Sequence, residues 1–269
     1  MINFINLVGD TMKIVKGDYV TRKSYNNDTV FKVINIKENV YYLKGVDVRL
    51  YADSNLEDLI KVIPEEDRED FTERVKDVLH LDRDEYFYLP GKILHFDGDS
   101  EYLERCLKFY KDSGVMAIGK NVKESELPKC IEKYLNEIRP DIVIITGHDA
   151  YYRKKGDINN PLNYQNSINF TKSVMSARKY EKSHEKLIII AGACQSNYEE
   201  LIKAGANYAS SPKRVNIHAL DPAIIATTVA LTERNKQINL IELLERTKYG
   251  HDGMGGIIGN GVMYVGFPR

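Results

Sequence analysis

A cysteine and a histidine each follow a short apolar run, at the point where a buried strand would end. The run Ile142–Thr146 continues as Gly-His-Asp and leads to His148, and the run Leu187–Ala191 continues as Gly-Ala-Cys and leads to Cys194. A thiol beside an imidazole can be deprotonated and attack a carbonyl carbon, and the imidazolium can then protonate a leaving amine. The two residues therefore form the candidate centre for acyl-transfer chemistry.

Cys194 also stands close to an expected helix N-terminus. The residues that follow it predict a helix from about Ser196 to Lys203, which ends at Gly205. The positive end of a helix macrodipole favours a thiolate over a thiol. His148 lies 46 residues before Cys194, enough for one crossover helix, and adjacent parallel strands are only about 5 Å apart. Neighbouring strand ends would then bring the imidazole and the thiol together.

Simpler interpretations exist for each residue. A single cysteine after an apolar strand is often a small buried hydrophobe, and a single histidine there often belongs to a loop or a cap. A second hydrolase interpretation treats Gly192–Ser196 as a degenerate nucleophile elbow with His218 as the base, although the elbow normally has glycine where Ser196 stands. Cys106 and Cys130 fall within predicted amphipathic helices and are interpreted as packing residues.

Alternating apolar runs and amphipathic segments must position these residues. The apolar runs predict strands over Lys92–Phe96, Val115–Ile118, Ile142–Thr146 and Leu187–Ala191. The segments between them predict helices over Ser100–Asp112, Lys123–Ile138 and Gln165–Tyr180. Short, nearly all-apolar strands separated by helices are typical of a mostly parallel sheet covered on both faces, as in flavodoxin-like α/β domains. The glycine-rich stretch Gly253–Pro268 is expected to form a hairpin.

The region before this α/β pattern has the alternation of short antiparallel strands. Polar and apolar residues alternate from about Met12 to Ile63, with turn residues between the runs. We expect a small SH3-like β-barrel domain over residues 1–63. A charged and partly helical linker over 64–90 and an α/β domain with the candidate acyl-transfer residues over 91–269 are expected to follow it.

The composition argues against several classes of protein. The chain has 269 residues and a formal net charge of −1, which argues against a general nucleic-acid binder. It has no apolar run near about 18 residues, and its N-terminus lacks the features of a secretion signal. Three cysteines fit a reducing cytosol better than a disulfide scaffold. We therefore expect a cytoplasmic protein that binds neither nucleic acid nor membrane, and the oligomeric state is left open.

Carboxylates at the expected strand ends suggest how a substrate is recognised. Asp97, Asp99, Asp149 and Asp221 are all expected at this edge of the sheet. A carboxylate pairs well with a guanidinium, so we predict cleavage after basic residues, arginine above all. Asp97 and Asp99 would also suit Mg²⁺, but no glycine-rich phosphate loop accompanies them. We therefore expect neither a metal ion nor another cofactor.

Further groups are expected around the reacting carbonyl. Backbone amides of Gly147, Asp149 and Cys194 are the candidates for holding the oxyanion. A loop late in the chain would complete the substrate cleft, and its candidate peptide-binding side chains are Ser210, Ser211, Asn216 and His218. The residue that would orient the imidazole stays open, because Asp149 is adjacent in sequence but can point elsewhere.

The order strand–His followed by strand–Ala-Cys resembles the caspase-like cysteine peptidases, which include legumains, gingipains, clostripain and separase. Caspases carry Q-A-C-[RQG]-G with a histidine about 50 residues upstream. This chain carries Gly-Ala-Cys-Gln-Ser over Gly192–Ser196, with His148 upstream. The resemblance implies a caspase-like α/β domain. The chain departs from the pattern at Asp149, which stands where these peptidases usually have a glycine, and this leaves one amide of the oxyanion hole in doubt.

A second resemblance extends from about Lys13 to the C-terminus. The stretches that carry it are GDYVTRKSY, DVRLYADSNLEDL, PGKILHFDGD, RPDIVIITGHDAY, AGACQSNYEELIKAGANYASSP and RVNIHALDP. They resemble the YabG family of sporulation-specific proteases, which endospore-forming bacteria make to process spore-coat and cortex-associated proteins. The family start falls at Met12-Lys13, so we expect residues 1–11 to be an extension.

This second resemblance implies roles for named residues of this chain. Cys194 is implied as the nucleophile and His148 as its partner, in a sporulation-specific thiol protease. Spore-coat and cortex-associated proteins are implied as substrates, and the mother cell or the spore coat as the location. A non-enzymatic adaptor for spore-coat assembly is the alternative from a different class, and it predicts that Cys194→Ala leaves coat-protein processing intact.

Overall fold

The structure is a computed structural model that describes residues 13–63 and 86–267. These residues form two compact units, one before and one after the segment 64–85. The expected extension 1–11 and most of the expected linker lie outside the described residues. The domain limits stay predictions. Within the described parts of the chain, no helix is both long and apolar enough to cross a membrane.

The N-terminal unit is an antiparallel sheet of five strands, namely β1 (Tyr19–Arg22), β2 (Phe31–Lys37), β3 (Val40–Gly45), β4 (Tyr51–Asn55) and β5 (Leu59–Val62). Phe31 and Leu43 alternate with more exposed neighbours, and both are fully buried, as is Val20. The β2–β3 hairpin turns at Glu38 and Asn39, which both have positive φ, as a two-residue type I′ turn requires. The strand order is β4-β3-β2-β1-β5. No pairing joins β4 to β5 within residues 13–63, so the expected SH3-like closed barrel is not confirmed.

The C-terminal unit is a mixed α/β fold. Its strands are β6 (Phe87–Leu89), β7 (Ile93–Asp97), β8 (Ala117–Asn121), β9 (Ile142–Thr146), β10 (Ile188–Ala191), β11 (Tyr208–Ser210), β12 (Met254–Gly256) and β13 (Tyr264–Gly266). The main sheet has the order β12-β11-β10-β9-β7-β8. All of its pairs are parallel except β11–β12 at one edge. The five parallel strands therefore follow the flavodoxin order 2-1-3-4-5.

Helices cover both faces of this sheet. They are α1 (Ser100–Asp112), α2 (Leu127–Ile138), α3 (Ser167–Tyr180), α4 (Tyr198–Lys203), α5 (Asp221–Leu231), α6 (Leu240–Glu245) and α7 (Gly250–Gly253). On one face α2 and α3 bury Ile131 and Phe170 against Val143 and Ile189 of the sheet. On the other face α1 contacts β7, and α5 contacts β9 and β10. Every residue of β7, β9 and β10 is buried, as expected for central parallel strands.

The expected elements are found with shifts of a few residues, apart from the last one. Strand β9 and helix α1 have the predicted limits, whereas α2 begins at Leu127 because Pro128 suits the first turn of a helix and not its interior. The predicted C-terminal hairpin is wrong, since β12 pairs with β11 and β13 pairs with β6. Gly256 permits the first of these pairings, because a Cβ atom there would lie 2.4 Å from the Tyr208 ring.

Candidate active site

The carboxyl ends of the central strands form the edge at which the predicted residues meet. The chain runs from β7 outward to β8 and then returns past β7 to β9, so the strand order reverses between β7 and β9. Ligands of open parallel sheets bind beyond the carboxyl ends at such a reversal. Strand β10 pairs with β9, with Ala191 opposite Ile145. The prediction that neighbouring strands lead to His148 and Cys194 is therefore confirmed.

Asp99, which follows β7, contacts the ring of His148, which follows the neighbouring strand β9. The Asp99 Oδ2 atom lies 3.2 Å from His148 Nε2, and both side chains are largely buried. Asp99 Oδ1 caps helix α1 by accepting the backbone N–H groups of Glu101 and Tyr102, at 2.9 and 3.3 Å. The Tyr102 ring lies 5.8 Å from the imidazole, centroid to centroid. One carboxylate thus fixes the helix start and the imidazole together.

The contact with Asp99 also determines which ring nitrogen of His148 can act as a base. A carboxylate accepts hydrogen bonds, so the imidazole proton belongs on Nε2 when the ring is neutral. Nδ1 is then the basic nitrogen. Asp99, predicted as a substrate-binding residue, therefore has the geometry of the orienting group that the sequence left open.

Glu124, which sequence reasoning missed, holds the backbone of the same loop. Its Oε1 atom accepts the N–H of His148 at 2.8 Å. A Cβ atom at Gly98 or at Gly147 would lie 2.3 Å from that oxygen, so a larger residue at either position would displace the carboxylate. The sequence feature that could have identified Glu124 is its position: it is an acidic residue three positions after β8, at the same edge of the sheet as His148. Gly147 and Gly98 thus leave room for the Glu124 carboxylate, and the role of the Gly147 amide stays a prediction.

Asp149 points away from the crevice and into the protein. Its carboxylate accepts hydrogen bonds from the hydroxyls of Ser167 (2.5 Å) and Ser196 (2.8 Å). It also accepts the backbone N–H groups of Ala150 (2.9 Å) and Asn166 (2.7 Å). Burial raises the pKa of the Asp149 carboxyl, and these hydrogen bonds lower it in part. With 2% exposure, this side chain is built into the loop and does not line an open cleft.

Cys194 lies in the turn after β10 and is fully buried. Its Sγ atom accepts the N–H of Ile217 at 3.3 Å and lies 3.7 Å from the Ile217 carbonyl oxygen. Helix α4 begins at Tyr198, with Asn197 as its N-cap, so the expected helix start near Ser196 is too early. The macrodipole falls off within the first turn, and the helix has only six residues. The Ile217 amide, rather than the helix, is therefore the dipole that faces the sulfur.

Two of the predicted peptide-binding serines instead build the turn that holds Cys194. The Ser210 hydroxyl donates to the Ala193 carbonyl at 2.8 Å. The Ser211 hydroxyl lies 3.1 Å from the same carbonyl oxygen and donates to the Val215 carbonyl at 2.7 Å, and both serines are fully buried. Ser211 Oγ also accepts the N–H of Gln195 at 2.9 Å, which supports the left-handed conformation of Gln195. Asn216 is partly exposed and accepts the Gln195 side-chain amide at 3.1 Å. Among these residues, Asn216 is placed where a peptide could reach it.

His218 and Asp221 form a buried turn that starts helix α5. The N–H of Leu220 donates to His218 Nδ1 at 3.1 Å, and the N–H of His218 donates to Asp221 Oδ2 at 2.8 Å. Asp221 Oδ1 accepts the N–H of Lys248 at 2.9 Å. The lone pair of His218 Nδ1 therefore accepts a backbone hydrogen bond within this turn. This arrangement favours His148 over His218 as the base.

Asp97 supports the loop that carries Asp99. Its Oδ1 atom accepts the Asp99 N–H at 2.9 Å, and its Oδ2 atom lies 3.8 Å from Nε2 of the buried His95. The His95 Nδ1 atom lies 2.8 Å from the Tyr110 hydroxyl. Within residues 13–63 and 86–267, no group of three or more His, Cys, Asp or Glu side chains is arranged to hold a metal ion.

Comparisons with known proteins identify one family, which the chain matches over nearly its whole length. A family model described as YabG peptidase U57 matches residues 15–268. The chain is 40% identical to the sporulation-specific protease YabG of Bacillus subtilis (strain 168), over 96% of this chain and 99% of that protein. The matched span 15–268 contains Asp99, His148 and the Cys194 turn. The chain therefore belongs to the YabG family of peptidases, U57.

Proposed function

We propose that this peptidase is a sporulation-specific cysteine endopeptidase, with Cys194 as the nucleophile and His148 as its base. The observation that carries the proposal is the Asp99–His148 pair at the strand reversal, next to the strand end that bears Cys194. A base oriented by a carboxylate beside a candidate nucleophile is the arrangement that acyl-transfer enzymes use. Loss of proteolysis in Cys194→Ala is the direct test of this function.

The reaction begins with the neutral imidazole. Nδ1 of His148 takes the proton of the Cys194 thiol, and the sulfur electron pair forms a bond to the carbonyl carbon while the π pair moves to the oxygen. The tetrahedral intermediate then breaks its C–N bond, and Nδ1–H protonates the leaving amine. Water gives a proton to Nδ1 and attacks the thioester carbon, after which the C–S bond breaks and the sulfur regains its proton.

Backbone amides hold the oxygen that becomes negative. The N–H of His148 donates to Glu124, and that of Gln195 donates to Ser211, so these two amides serve the protein itself. As predicted from the sequence, we propose that the amides of Gly147, Asp149 and Cys194, at the paired ends of β9 and β10, hold the oxyanion. Donors fixed in this way are worth several kcal/mol, about 10²- to 10³-fold in rate per donor.

Substrate must reach a sulfur atom that is fully buried in this structure. The backbone of Ile217, between β11 and α5, covers Cys194. We propose that the backbone around Ile217 moves when a peptide binds, as active-site loops do in many enzymes. Asn216 and the Gln195 side chain then contact the bound peptide, because both lie beside this cover.

We propose spore-coat and cortex-associated proteins as the substrates, processed in the mother cell or at the coat. The support is the membership in the YabG family and the 40% identity to a sporulation-specific protease. Purified protein incubated with coat extracts should release defined fragments, which mass spectrometry of the new termini would identify.

Cleavage is expected to follow basic residues. Asp97 and Asp99 at the end of β7 and Glu124 after β8 place negative charge at two neighbouring strand ends, and the partly buried Glu124 is the candidate partner of the basic side chain. A peptide with arginine before the scissile bond should be cleaved about 10- to 100-fold faster in kcat/KM than its glutamine counterpart, since a charge-assisted hydrogen bond contributes about 1.5–3 kcal/mol. The advantage should shrink as salt is added. Preferred cleavage after aspartate or a large apolar residue would contradict this specificity.

Asp99→Asn is expected to lower kcat while leaving the fold intact. Asparagine caps a helix about as well as aspartate, so helix α1 keeps its start. The amide NH₂ would face His148 Nε2, which favours the opposite tautomer and occupies Nδ1 with a proton. We expect a loss of at least about 10²-fold in kcat, by analogy with a triad aspartate. Thermal unfolding close to that of the wild type would be the control, and an unchanged kcat would count against an orienting role.

A further inference from the structure

We infer that Asp149 is a positioning residue, which sets the placement of the Cys194 turn relative to His148 through Ser167 and Ser196. The inference deepens the proposed function and rests on it. Asp149 is adjacent to His148 in the chain, yet its carboxylate is bonded to the turn after the next strand. It therefore connects the loop of the base to the loop of the nucleophile.

The connection holds the Cys194 turn at both of its ends. Ser196 Oγ accepts the N–H of Ala193 at 2.9 Å and donates to Asp149 Oδ2 at 2.8 Å. Ser167 Oγ accepts the N–H of Asn197 at 2.8 Å and donates to the same oxygen at 2.5 Å. The backbone N–H groups of Ala193 and Asn197, on either side of Cys194, are thus both linked to Asp149 Oδ2 through a serine hydroxyl.

The second carboxylate oxygen of Asp149, Oδ1, connects this hydrogen-bond network to the His148 loop. Asp149 Oδ1 accepts the N–H groups of Ala150 and Asn166. The side chain of Asn166 donates in turn to the carbonyl oxygen of His148, at 2.9 Å. Both loops therefore converge on a side chain that is 2% exposed. Buried networks in which every polar group is bonded hold one arrangement rigidly.

The chemistry of these bonds requires a carboxylate. Each serine hydroxyl accepts a backbone N–H and must pass its own proton to an acceptor. Two hydroxyl protons converge on Asp149 Oδ2, and an asparagine NH₂ at that place would offer them no acceptor. A catalytic pair displaced by about 1 Å can lose on the order of 10²-fold in rate. The carboxylate of Asp149 thus acts on the reaction without touching the substrate.

The test compares Ser196→Ala and Asp149→Asn with Ser173→Ala. Ser173 is a matched control, because it is a fully buried serine whose hydroxyl donates to the Asn169 carbonyl within helix α3. We expect kcat to fall about 10- to 100-fold in the first two variants, with KM changed by less than about threefold, and to stay at the wild-type value in the control. Thermal unfolding of all three proteins shows whether a variant is folded.

A second readout separates positioning from a purely structural role. The rate at which a peptidyl chloromethyl ketone alkylates Cys194, followed on the Cys194 peptide by mass spectrometry, reports how well His148 is placed to take the thiol proton once a bound peptide has uncovered the sulfur. This rate should fall with kcat in Ser196→Ala and Asp149→Asn and stay at the wild-type value in Ser173→Ala. Lower unfolding temperatures with an unchanged alkylation rate and unchanged kcat would overturn the inference. If Cys194→Ala itself retains proteolysis, the proposed function fails, which is a different result.

Discussion

Cys194→Ala is expected to lower the hydrolysis of protein substrates by about 10⁴-fold or more, because the variant lacks the atom that forms the thioester. Removing a covalent nucleophile costs far more than removing a binding contact, since the later steps have no intermediate to act on. Binding should be largely retained, because alanine leaves the backbone amides of the turn in place. Fluorogenic peptide cleavage under single-turnover conditions would measure the loss.

The fold of this variant should remain intact. Cys194 Sγ accepts the N–H of Ile217, and leaving that buried N–H without this partner costs about 1–3 kcal/mol, less than the roughly 5–15 kcal/mol by which folded domains are typically stable. Cys130→Ala provides the matched control, since Cys130 is a half-buried thiol on helix α2 whose sulfur lies 3.7 Å from the Leu127 carbonyl oxygen. That variant should keep full activity. Full processing by Cys194→Ala would mean another nucleophile, or an adaptor that does not cleave.

The strands and helices around this site could be predicted from the sequence, because buried parallel strands are almost wholly apolar. Ile142–Thr146 is such a run, and it was predicted with its observed limits. Its neighbour β10 was predicted as well, but its other neighbour, β7, could not be deduced in the same way. The contact between Asp99 and His148 depends on β7 lying directly beside β9, and this strand order leaves no trace in the local pattern.

Polar residues at the strand ends were harder to interpret. Asp149 was expected to meet a peptide because it follows an apolar strand, and Ser210 and Ser211 because they lie in a loop expected to complete the substrate cleft. In the structure they satisfy backbone amides and carbonyls of tight turns, which cannot be left unpaired inside a protein. Sequence spacing shows that such turns exist, but not which side chain closes them. Glu124 was missed for the same reason, because its partner is a backbone N–H.

His148→Ala is expected to abolish most activity, with a loss of at least about 10³-fold in kcat, whereas a variant of His218 should retain a measurable fraction. His148 is the imidazole that Asp99 orients, and removing it takes away both the base and the acid of the reaction. His218 uses Nδ1 to accept the Leu220 N–H in a turn. Its loss should therefore affect stability more than chemistry.

His218→Asn makes this comparison sharper than alanine does. An asparagine side-chain oxygen can accept the backbone N–H two residues later, as in an Asx turn, so it can replace Nδ1 at that contact. His218→Ala would leave the buried Leu220 N–H unpaired, at a cost of about 1–3 kcal/mol. If His218→Asn is folded but inactive while His148→Ala still cleaves, the base has been misassigned and the nucleophile-elbow arrangement is correct. If only His148→Ala is inactive, the imidazole after β9 is the base that Cys194 uses.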